Sequence, residues 1–256
     1  MNARLALEKL IVPIGLLLLW EATQRAGVLP TYLSSPSSIV AALVELTESG
    51  ELPAAMALSL MRAYAGFFIG AGLGVVLGLI AGLSQGVREF IDPLVSFLYP
   101  IPKITFLLIF LLIFGLGTPS QIALVALAVF FPVFIPSRYA VQSVNQLYVW
   151  SGQNMGAPPM TVFFRVIVPA AAPVLFAGLR VGLAHSFVVL FASELIGGRS
   201  GLGFLIVDGE EAVRFDIMFV GIVGFALIGF ASDRVLMALR RSALRGQAIG
   251  TEEQLV

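Results

Sequence analysis

The sequence lacks cysteine altogether and contains one histidine, His185, and no lysine other than Lys9 and Lys103. Without cysteine, disulfide bonds and thiolate metal sites are excluded, and one histidine is too few for a histidine metal cluster. The two lysines are followed by Leu10 and Ile104 rather than by Ser or Thr, so the sequence has no phosphate-binding loop. The chain therefore does not hydrolyse ATP by that route, and any ATP energy must come from a partner.

Charged residues are also scarce, at 12%, whereas apolar residues make up 59% and the mean hydropathy is +0.99. One soluble core cannot hold this much apolar surface, so the composition predicts an all-α polytopic membrane protein. About 20 helical residues cross a hydrocarbon core of about 30 Å. The first apolar run is short and follows basic residues, as in a signal peptide, but no small-residue cleavage site comes after it. About six transmembrane helices are expected, at residues 10–24, 55–83, 94–116, 121–141, 174–196 and 217–236.

Basic residues indicate which ends of these runs face the cytoplasm, because short cytoplasmic loops retain Lys and Arg. With the N-terminus inside, the outer loops hold only Arg25, Arg199 and Arg214. Both termini are therefore expected in the cytoplasm. Arg180 lies inside the fifth run and is expected to reach toward the inner surface. The inner side then collects Arg4, Lys9, Arg88, Arg138, Arg165, Arg234, Arg240, Arg241 and Arg245.

The runs divide the chain into four parts. Residues 1–28 hold the N-terminal tail and the first transmembrane helix, and residues 29–54 form an outer segment. Within that segment, SSPS at 34–37 precedes an amphipathic stretch, which favours a capped helix on the outer membrane interface; a simple surface loop is the alternative. Residues 55–240 form the core with five transmembrane helices, and residues 241–256 form a cytoplasmic tail.

The second run carries a glycine at every fourth position. Because four residues turn a helix through slightly more than one turn, such a row predicts a shallow groove that another helix can enter closely. A packing surface without a transport role is the simpler interpretation. The members of the row are Gly66, Gly70, Gly74, Gly78, Gly82 and Gly86.

A few residues interrupt the apolar runs. Pro100 and Pro102 are expected to kink or interrupt the third helix and to free backbone carbonyls. A charge inside a membrane costs at least about 2.5 kcal/mol on insertion scales, so Lys103 is a candidate for the substrate path, with snorkelling as the alternative. His185 and Glu194 are further candidates for that path. The alternative for His185 is a polar core residue whose hydrogen bonds are satisfied. The alternative for Glu194 is a hydrated or capping residue.

Residues 145–170 are polar, are interrupted by glycine and proline, and are too many for a simple connection between two spans. They predict a helical hairpin. Asn145 is a candidate N-cap for a first helix, and Gly156 can take the left-handed conformation that ends it. The two prolines that follow suit the first turn of a second helix, which Pro169 is expected to close. The hairpin also carries large apolar side chains, which we expect another surface to cover because their isolated exposure would be unfavourable. These are Trp150, Met155, Met160, Phe163 and Phe164.

An enzymatic interpretation of the last outer loop fails. Gly198, Arg199, Ser200 and Gly201 match the G-x-S-G motif of the rhomboid intramembrane proteases. That nucleophile needs a histidine base on a later helix, and no histidine follows Ser200. No catalytic residue is therefore expected in this chain.

Motifs in the hairpin and elsewhere point to one family of transporters. The hairpin region contains GAPPM at 156–160, RVIVPAA at 165–171 and GLR at 178–180. It resembles the cytoplasmic "EAA" loop of binding-protein-dependent ABC importer permeases. The resemblance covers nearly the whole chain and is strongest to the nitrate, sulfonate and taurine branch. The further matching segments are LSSPS at 33–37, DPL at 92–94, IPK at 101–103, FG at 114–115 and GGRSGLG at 197–203.

This resemblance implies the type I ABC importer permease fold and a function. The chain would be the permease subunit that moves a small solute, with a nitrate, sulfonate or taurine-like anion favoured, across a bacterial cytoplasmic (inner) membrane. Its partners would be the lipid bilayer, two copies of an ATPase subunit, an external (periplasmic or extracellular) solute-binding protein and a second permease copy in a homodimer. ATP and Mg would bind to the ATPase, with no cofactor in this chain and no nucleic acid. The solute-binding protein would dock near Gly198, Arg199, Ser200 and Gly201.

In this family the hairpin is the coupling helix region, which docks into a cleft of the ATPase. The family's Glu-Ala-Ala triplet precedes the loop glycine by six to four residues, and Trp150, Ser151 and Gly152 stand there instead. Because the acidic residue is missing, we expect docking by apolar contacts from Trp150, Met155 and Met160. The residues expected to face the ATPase are Trp150, Ser151, Gly152, Met155, Gly156, Ala157, Pro159 and Met160.

Two functions of other classes account less well for the sequence. An ion-coupled secondary transporter should show a repeated pair of broken helices and carboxylates near the membrane midplane, whereas the sequence indicates one broken run and no mid-span carboxylate. A non-transporting membrane scaffold would explain the glycine groove and the hairpin. It would not explain the proline-broken third run.

Overall fold

The computed structural model describes residues 3–245 of the chain, with side chains from residue 11 onward. Part of the expected cytoplasmic tail, residues 246–256, lies outside the described residues. All regular structure within them is helical. The helices are α1 (Ala3–Arg25), α2 (Pro36–Glu48), α3 (Glu51–Leu83), α4 (Gln85–Leu98), α5 (Phe106–Phe114), α6 (Thr118–Gln142), α7 (Gln146–Asn154), α8 (Pro159–Val162), α9 (Val168–Gly197), α10 (Leu202–Glu211) and α11 (Phe215–Ala243).

Four helical stretches among the described residues are long and apolar enough to cross a membrane: α3, α6, the continuous stretch Pro159–Gly197 and α11. A fifth span is formed if α4 and the bent continuation Lys103–Phe114 count as one. The remaining expected run, 10–24, lies in α1. Its polar end at Glu21, Gln24 and Arg25 leaves a shorter apolar stretch than a bilayer requires.

The chain divides into two compact units. One comprises Met1–Ser59 and Glu194–Leu227, and the other comprises Leu60–Ser193 and Ile228–Val256. The first unit holds α1, α2, α10 and the outer loop, and the second holds α4 to α8 and the hairpin. Three long helices, α3, α9 and α11, contribute to both units because each one continues from one unit into the other.

The outer segment folds as the capped helix rather than as a loop. The hydroxyl oxygen of Ser35 accepts a hydrogen bond from the Ser38 amide at 3.2 Å, and Pro36 opens the helix. Ile39, Ala42 and Leu46 recur at helical spacing and are buried, while the opposite face is exposed. The expectation of a capped amphipathic helix is confirmed, and its place on the membrane interface stays a prediction.

The glycine row on α3 admits α6. A Cβ added at Gly66 would lie 2.5 Å from a Val125 methyl carbon, and one at Gly82 would lie 2.7 Å from Val141 Cβ. Gly86 is different, because it lies beyond the end of α3, in α4, and has nothing within 4 Å. Its membership in the row was therefore wrong. The four-residue period continues in the sequence past the point where Ser84 ends one helix and caps the next.

We expect Gly78→Ala to destabilise the protein by about 1–3 kcal/mol, the usual cost of overpacking. The new Cβ would lie 2.6 Å from Ser137 Cβ and 2.7 Å from the Phe134 carbonyl oxygen. Gly72→Ala is the matched control, because that position on the same helix has nothing within 4 Å and alanine favours a helix. Thermal unfolding of the purified chain in detergent measures both. Equal melting temperatures for the two variants would contradict the packing interpretation.

The third run is broken, as its prolines predict. The chain bends by 83° between α4 and the segment Lys103–Phe114. Lys103 occupies the break: its Nζ donates to the carbonyl oxygens of Leu98, Tyr99 and Ile101 at 2.9, 2.9 and 2.8 Å. A lysine ammonium has three donors, so all of them are used on backbone carbonyls at the break. The Leu98 carbonyl also accepts from the Ile101 amide at 3.3 Å.

Pro169 does not close the second helix of the hairpin, and that expectation was wrong. The segment Phe163–Ile167 forms a π-helical turn that joins α8 to α9, and Pro169 lies inside the first turn of α9. In a regular helix the proline ring would crowd the carbonyl four residues earlier. A wider turn directly before Pro169 relieves that crowding, so the helix passes through into the membrane span.

Candidate functional site

The hairpin has the local structure that its capping residue and its glycine predict. The Asn145 side chain accepts a hydrogen bond from the Leu147 amide at 2.9 Å and caps the start of α7. At the other end Gly156 has φ +78°, and the amides of Gly156 and Ala157 donate to the carbonyls of Gln153 and Gly152. This pair of bonds is a Schellman motif, which needs a left-handed residue at the glycine position. The expected N-cap and left-handed glycine are both confirmed.

The apolar side chains of the hairpin lie at the surface of the described chain. Met155 is 85% exposed, Met160 is 68% exposed and Trp150 is 55% exposed. Tyr148 and Phe164 are exposed as well. Large apolar side chains clustered at one end of a membrane span are typical of a surface that contacts another protein or the membrane.

The hairpin is seated firmly on the ends of three membrane spans. Val149 and Ile167 pack against a buried cluster formed by Ala140, Ala171 and Leu175. That cluster also contacts Leu79 of α3, so residues from α3, α6 and α9 meet beneath the hairpin. The hairpin and the ends of these helices are therefore packed together, and packed interiors yield little to compression.

A cavity of about 710 Å³ separates the two helices of the hairpin on one side. Its walls include Val149, Pro159, Met160 and Phe163, together with Leu83 at the end of α3. The wall is almost wholly apolar. This concavity suits an apolar side chain from a docking partner.

The residues in place of the expected triplet have modest roles. The Ser151 hydroxyl donates to the Leu147 carbonyl within α7 at 2.7 Å. Gly152 faces Val162 of α8, and a Cβ there would lie 3.4 Å from a Val162 methyl carbon, an ordinary contact. Neither residue supplies a charge, which leaves Trp150 as the large side chain of the three at the surface.

The outer loop is built around Glu194, which is fully buried. The Ser59 hydroxyl donates to this carboxylate, with Oγ 3.0 and 2.9 Å from its two oxygens, and the Gly203 amide donates to it at 2.9 Å. The Leu202 amide in turn donates to Ser59 Oγ at 2.9 Å. Glu194 and Ser59 thereby satisfy the first amides of α10, which have no partners inside that helix.

Glycine is required where the loop passes this carboxylate. Gly201 has φ +99°, and a Cβ there would lie 2.5 Å from Glu194 Oε1. The structure brings Gly198, Arg199, Ser200 and Gly201 together in this turn. Arg199 and Ser200 border a cavity of about 250 Å³ whose other walls come from the first turns of α3 and from α10. The capping alternative for Glu194 matches these contacts, and its place on a substrate path stays a prediction.

The other two path candidates lie in the second unit. Lys103 fills the helix break and has its Nζ 4.5 Å from the centre of the Phe131 ring. His185 is exposed on α9, with Nδ1 2.9 Å from the Val181 carbonyl oxygen. Within residues 3–245, these two side chains share no hydrogen bond, and no group of three or more His, Asp or Glu residues is placed to hold a metal ion.

An ion pair between α9 and α11 escaped the sequence reasoning. Arg180 Nε lies 2.7 Å from Asp233 Oδ1, and Arg180 Nη2 lies 3.2 Å from Asp233 Oδ2. The sequence did contain an indication of this pair. The sixth run has an acidic residue, Asp233, near its inner end, and the fifth run has a basic residue, Arg180, near its own inner end. Only the packing of the two helices shows that the two charges meet.

A family model described as "binding-protein-dependent transport system inner membrane component" matches residues 74–245. A Bacillus subtilis (strain 168) protein named "Putative aliphatic sulfonates transport permease protein SsuC" is 32% identical over 93% of this chain and 87% of its own length. The taurine transport system permease protein TauC of Escherichia coli (strain K12) is 32% identical over 87% of this chain and 82% of its own length.

Solved structures show the same fold. A methionine ABC transporter in an inward-facing conformation matches with a TM-score of 0.54 at 20% identity, covering 70% of this chain and 93% of the matched chain. An amino acid ABC transporter crystallised with histidines matches with a TM-score of 0.58 at 18% identity, covering 79% of this chain and 97% of the matched chain. At this level of identity the likeness concerns the fold alone.

Proposed function

This chain belongs to the family of binding-protein-dependent transport system inner membrane components, and from that premise we propose how it works and what it carries. It is the permease subunit of an ABC importer, with the type I importer permease fold, and it is not an enzyme. ATP hydrolysis belongs to a separate subunit. The open questions are how that subunit acts on this chain and which solute passes.

The observation that carries the mechanism is the exposed apolar hairpin on the ends of three spans. Two ATPase copies, which bind ATP and Mg, each receive one hairpin, and Trp150, Met155 and Met160 make the contact. The cavity beside Met160 accepts an apolar side chain of the ATPase. Closure of the ATPase pair pushes the hairpins, and the buried cluster beneath each one carries the movement into α3, α6 and α9.

The opposite face receives the solute. A loaded solute-binding protein docks on the outer loop at Gly198, Arg199, Ser200 and Gly201. Two permease copies form a homodimer in the cytoplasmic membrane of a bacterium, with both termini in the cytoplasm. Rigid-body movement of the two copies exposes a central path to each side in turn. Lys103, His185 and Glu194 remain candidates for this path.

The solute is a small sulfonate or taurine-like anion, and nitrate is a related possibility. The support is the 32% identity to permeases named for aliphatic sulfonates and taurine over most of the chain. These names describe the relatives, and their substrate class is adopted here as the proposal.

A tagged chain purified from its host is expected to retain an ATPase subunit. Reconstituted in liposomes with this subunit and the solute-binding protein, it should import radiolabelled taurine or ethanesulfonate only when ATP is supplied to the ATPase side. Omission of the binding protein is the control and should abolish uptake. Uptake driven by an ion gradient without ATP would contradict the proposal and favour a secondary transporter.

A further inference from the structure

Arg180 and Asp233 form an ion pair within the membrane-spanning helices. Arg180 lies six residues, or about 9 Å at 1.5 Å per residue, into the fifth apolar run, 174–196. Asp233 lies on α11, three residues before the end of the sixth run, 217–236, so the pair sits toward the inner end of both spans. Ionisable residues within membrane spans are costly and typically mark a solute or ion pathway.

The pair borders a cavity of about 410 Å³. The rest of the wall is apolar and consists of Leu183, Ala184, Phe187, Gly229 and Phe230. Small-molecule sites are usually concave, mostly apolar, about 300–1,000 Å³ in volume and equipped with a few polar groups that orient the ligand. This cavity has each of these properties, and its polar groups are one cation and one anion.

The guanidinium of Arg180 keeps unused binding capacity toward this cavity. It has five N–H donors, and the pair with Asp233 employs the Nε–H and one N–H of Nη2. Among the described residues, its other donors make no hydrogen bond, and the side chain is 50% exposed. A guanidinium edge of this kind matches two oxygens of an oxyanion.

A purely structural ion pair explains these features less well. An ion pair as exposed as this one contributes little to stability, so helix packing alone gives little reason for the two charges. Here the guanidinium opens into a cavity, and Gly229 and Ala184 are the small residues that leave it open.

We propose that Arg180 binds the oxyanion group of the transported solute, such as a sulfonate, in this cavity, and that Asp233 positions the guanidinium. This inference rests on the proposed function, since it assumes that the chain carries an anionic solute. Asp233 holds one edge of the guanidinium by two hydrogen bonds and directs the free edge into the cavity. The apolar wall receives the carbon chain of the solute.

The test uses the transporter assembled with its ATPase and solute-binding protein in liposomes, with taurine and ethanesulfonate as probes. Arg180→Gln is expected to lower uptake of both probes at least tenfold, whereas stimulation of the ATPase by the loaded binding protein stays within twofold. Arg241→Gln is the control, since it removes an exposed arginine at the end of α11 and should leave uptake unchanged. Asp233→Asn should raise KM for both probes with little change in kcat, as expected for a positioning residue.

The double variant Arg180→Leu with Asp233→Leu separates binding from structure. A structural pair predicts wild-type uptake, because an exposed ion pair contributes little to stability and the two leucines keep the helices packed. The proposal predicts a loss as large as that of Arg180→Gln, and wild-type uptake by this variant would overturn it. Failure of the wild type to import either probe would instead overturn the proposed function, and this inference with it.

Filling the cavity without altering a charge is an independent test. A Cβ at Gly229 would lie 3.9 Å from the Phe187 ring, so Gly229→Ala is expected to transport like the wild type. Gly229→Leu extends a larger side chain into the cavity and should lower uptake at least tenfold at an unchanged melting temperature. Wild-type uptake by the leucine variant would contradict a solute site in this cavity.

Discussion

Met160→Asp is expected to abolish stimulation of the ATPase by the loaded binding protein. Met160 is 68% exposed in this chain and lines the hairpin cavity, so the proposed docking buries it against the ATPase. Truncating a central apolar contact of an interface costs about 2–4 kcal/mol, and a carboxylate placed there adds a desolvation penalty. We therefore expect coupling to fall by at least about 30-fold. The measurement is ATP hydrolysis by the reconstituted complex with and without loaded binding protein.

Two further variants make this prediction specific. Met160→Leu preserves the apolar volume and should keep coupling near the wild-type level. Gly156→Arg should lose coupling as Met160→Asp does, because the arginine must adopt φ +78° and places a charge at the tip of the hairpin. Full coupling in both Gly156→Arg and Met160→Asp would disprove docking through the apolar hairpin.

Glu194→Ala is expected to destabilise the protein by about 3–5 kcal/mol, because two buried donors each lose their acceptor at a cost of about 1–3 kcal/mol. The Ser59 hydroxyl and the Gly203 amide would lose their acceptor in a fully buried site. For a chain of this size the loss corresponds to a decrease in melting temperature of roughly 6–20 °C. Thermal unfolding of the purified chain in detergent provides the measurement.

A control and a steric variant accompany this change. Glu48→Ala removes an exposed carboxylate from α2 and should leave the melting temperature within about 2 °C, as usual for surface substitutions. Gly203→Ala retains Glu194, but its new Cβ would collide with Glu194 Cβ, and it should destabilise the same junction. A wild-type melting temperature for Glu194→Ala would show that the outer loop does not depend on the carboxylate.

The hairpin shows what could be predicted from sequence. Its N-cap at Asn145 and its left-handed turn at Gly156 depend on bonds between residues at most five positions apart. Such short-range chemistry is readable from residue type and order. The same holds for the break at Pro100 and Pro102, because a missing amide acts on its own helix.

The candidate site was predicted less completely. Trp150, Met155, Met160 and Phe164 were named correctly as exposed apolar groups, whereas Phe163 is half-buried. The passage of the helix through Pro169 was not predicted, because a π-helical turn has no simple residue signature. Asp233 was overlooked because the residue that hydrogen-bonds to it is remote in sequence, although the adjacent Arg234 also forms an ion pair with it at 3.7 Å. Its importance follows only from Arg180, which lies 53 positions away.

The sequence by itself determined that this is a helical membrane protein. It also determined where the helices begin, break and end, and which apolar side chains are exposed on the hairpin. These features depend on apolar content, prolines, glycines and caps, which act locally. Only the tertiary structure decided that α6 fills the glycine row, that Ser59 reaches Glu194 across 135 positions and that Arg180 meets Asp233 beside a cavity. These contacts depend on the rotation and relative height of packed helices. A shift of one residue in the rotation or height of a helix would separate the paired residues. No single segment of the sequence encodes how the packed helices are aligned with one another.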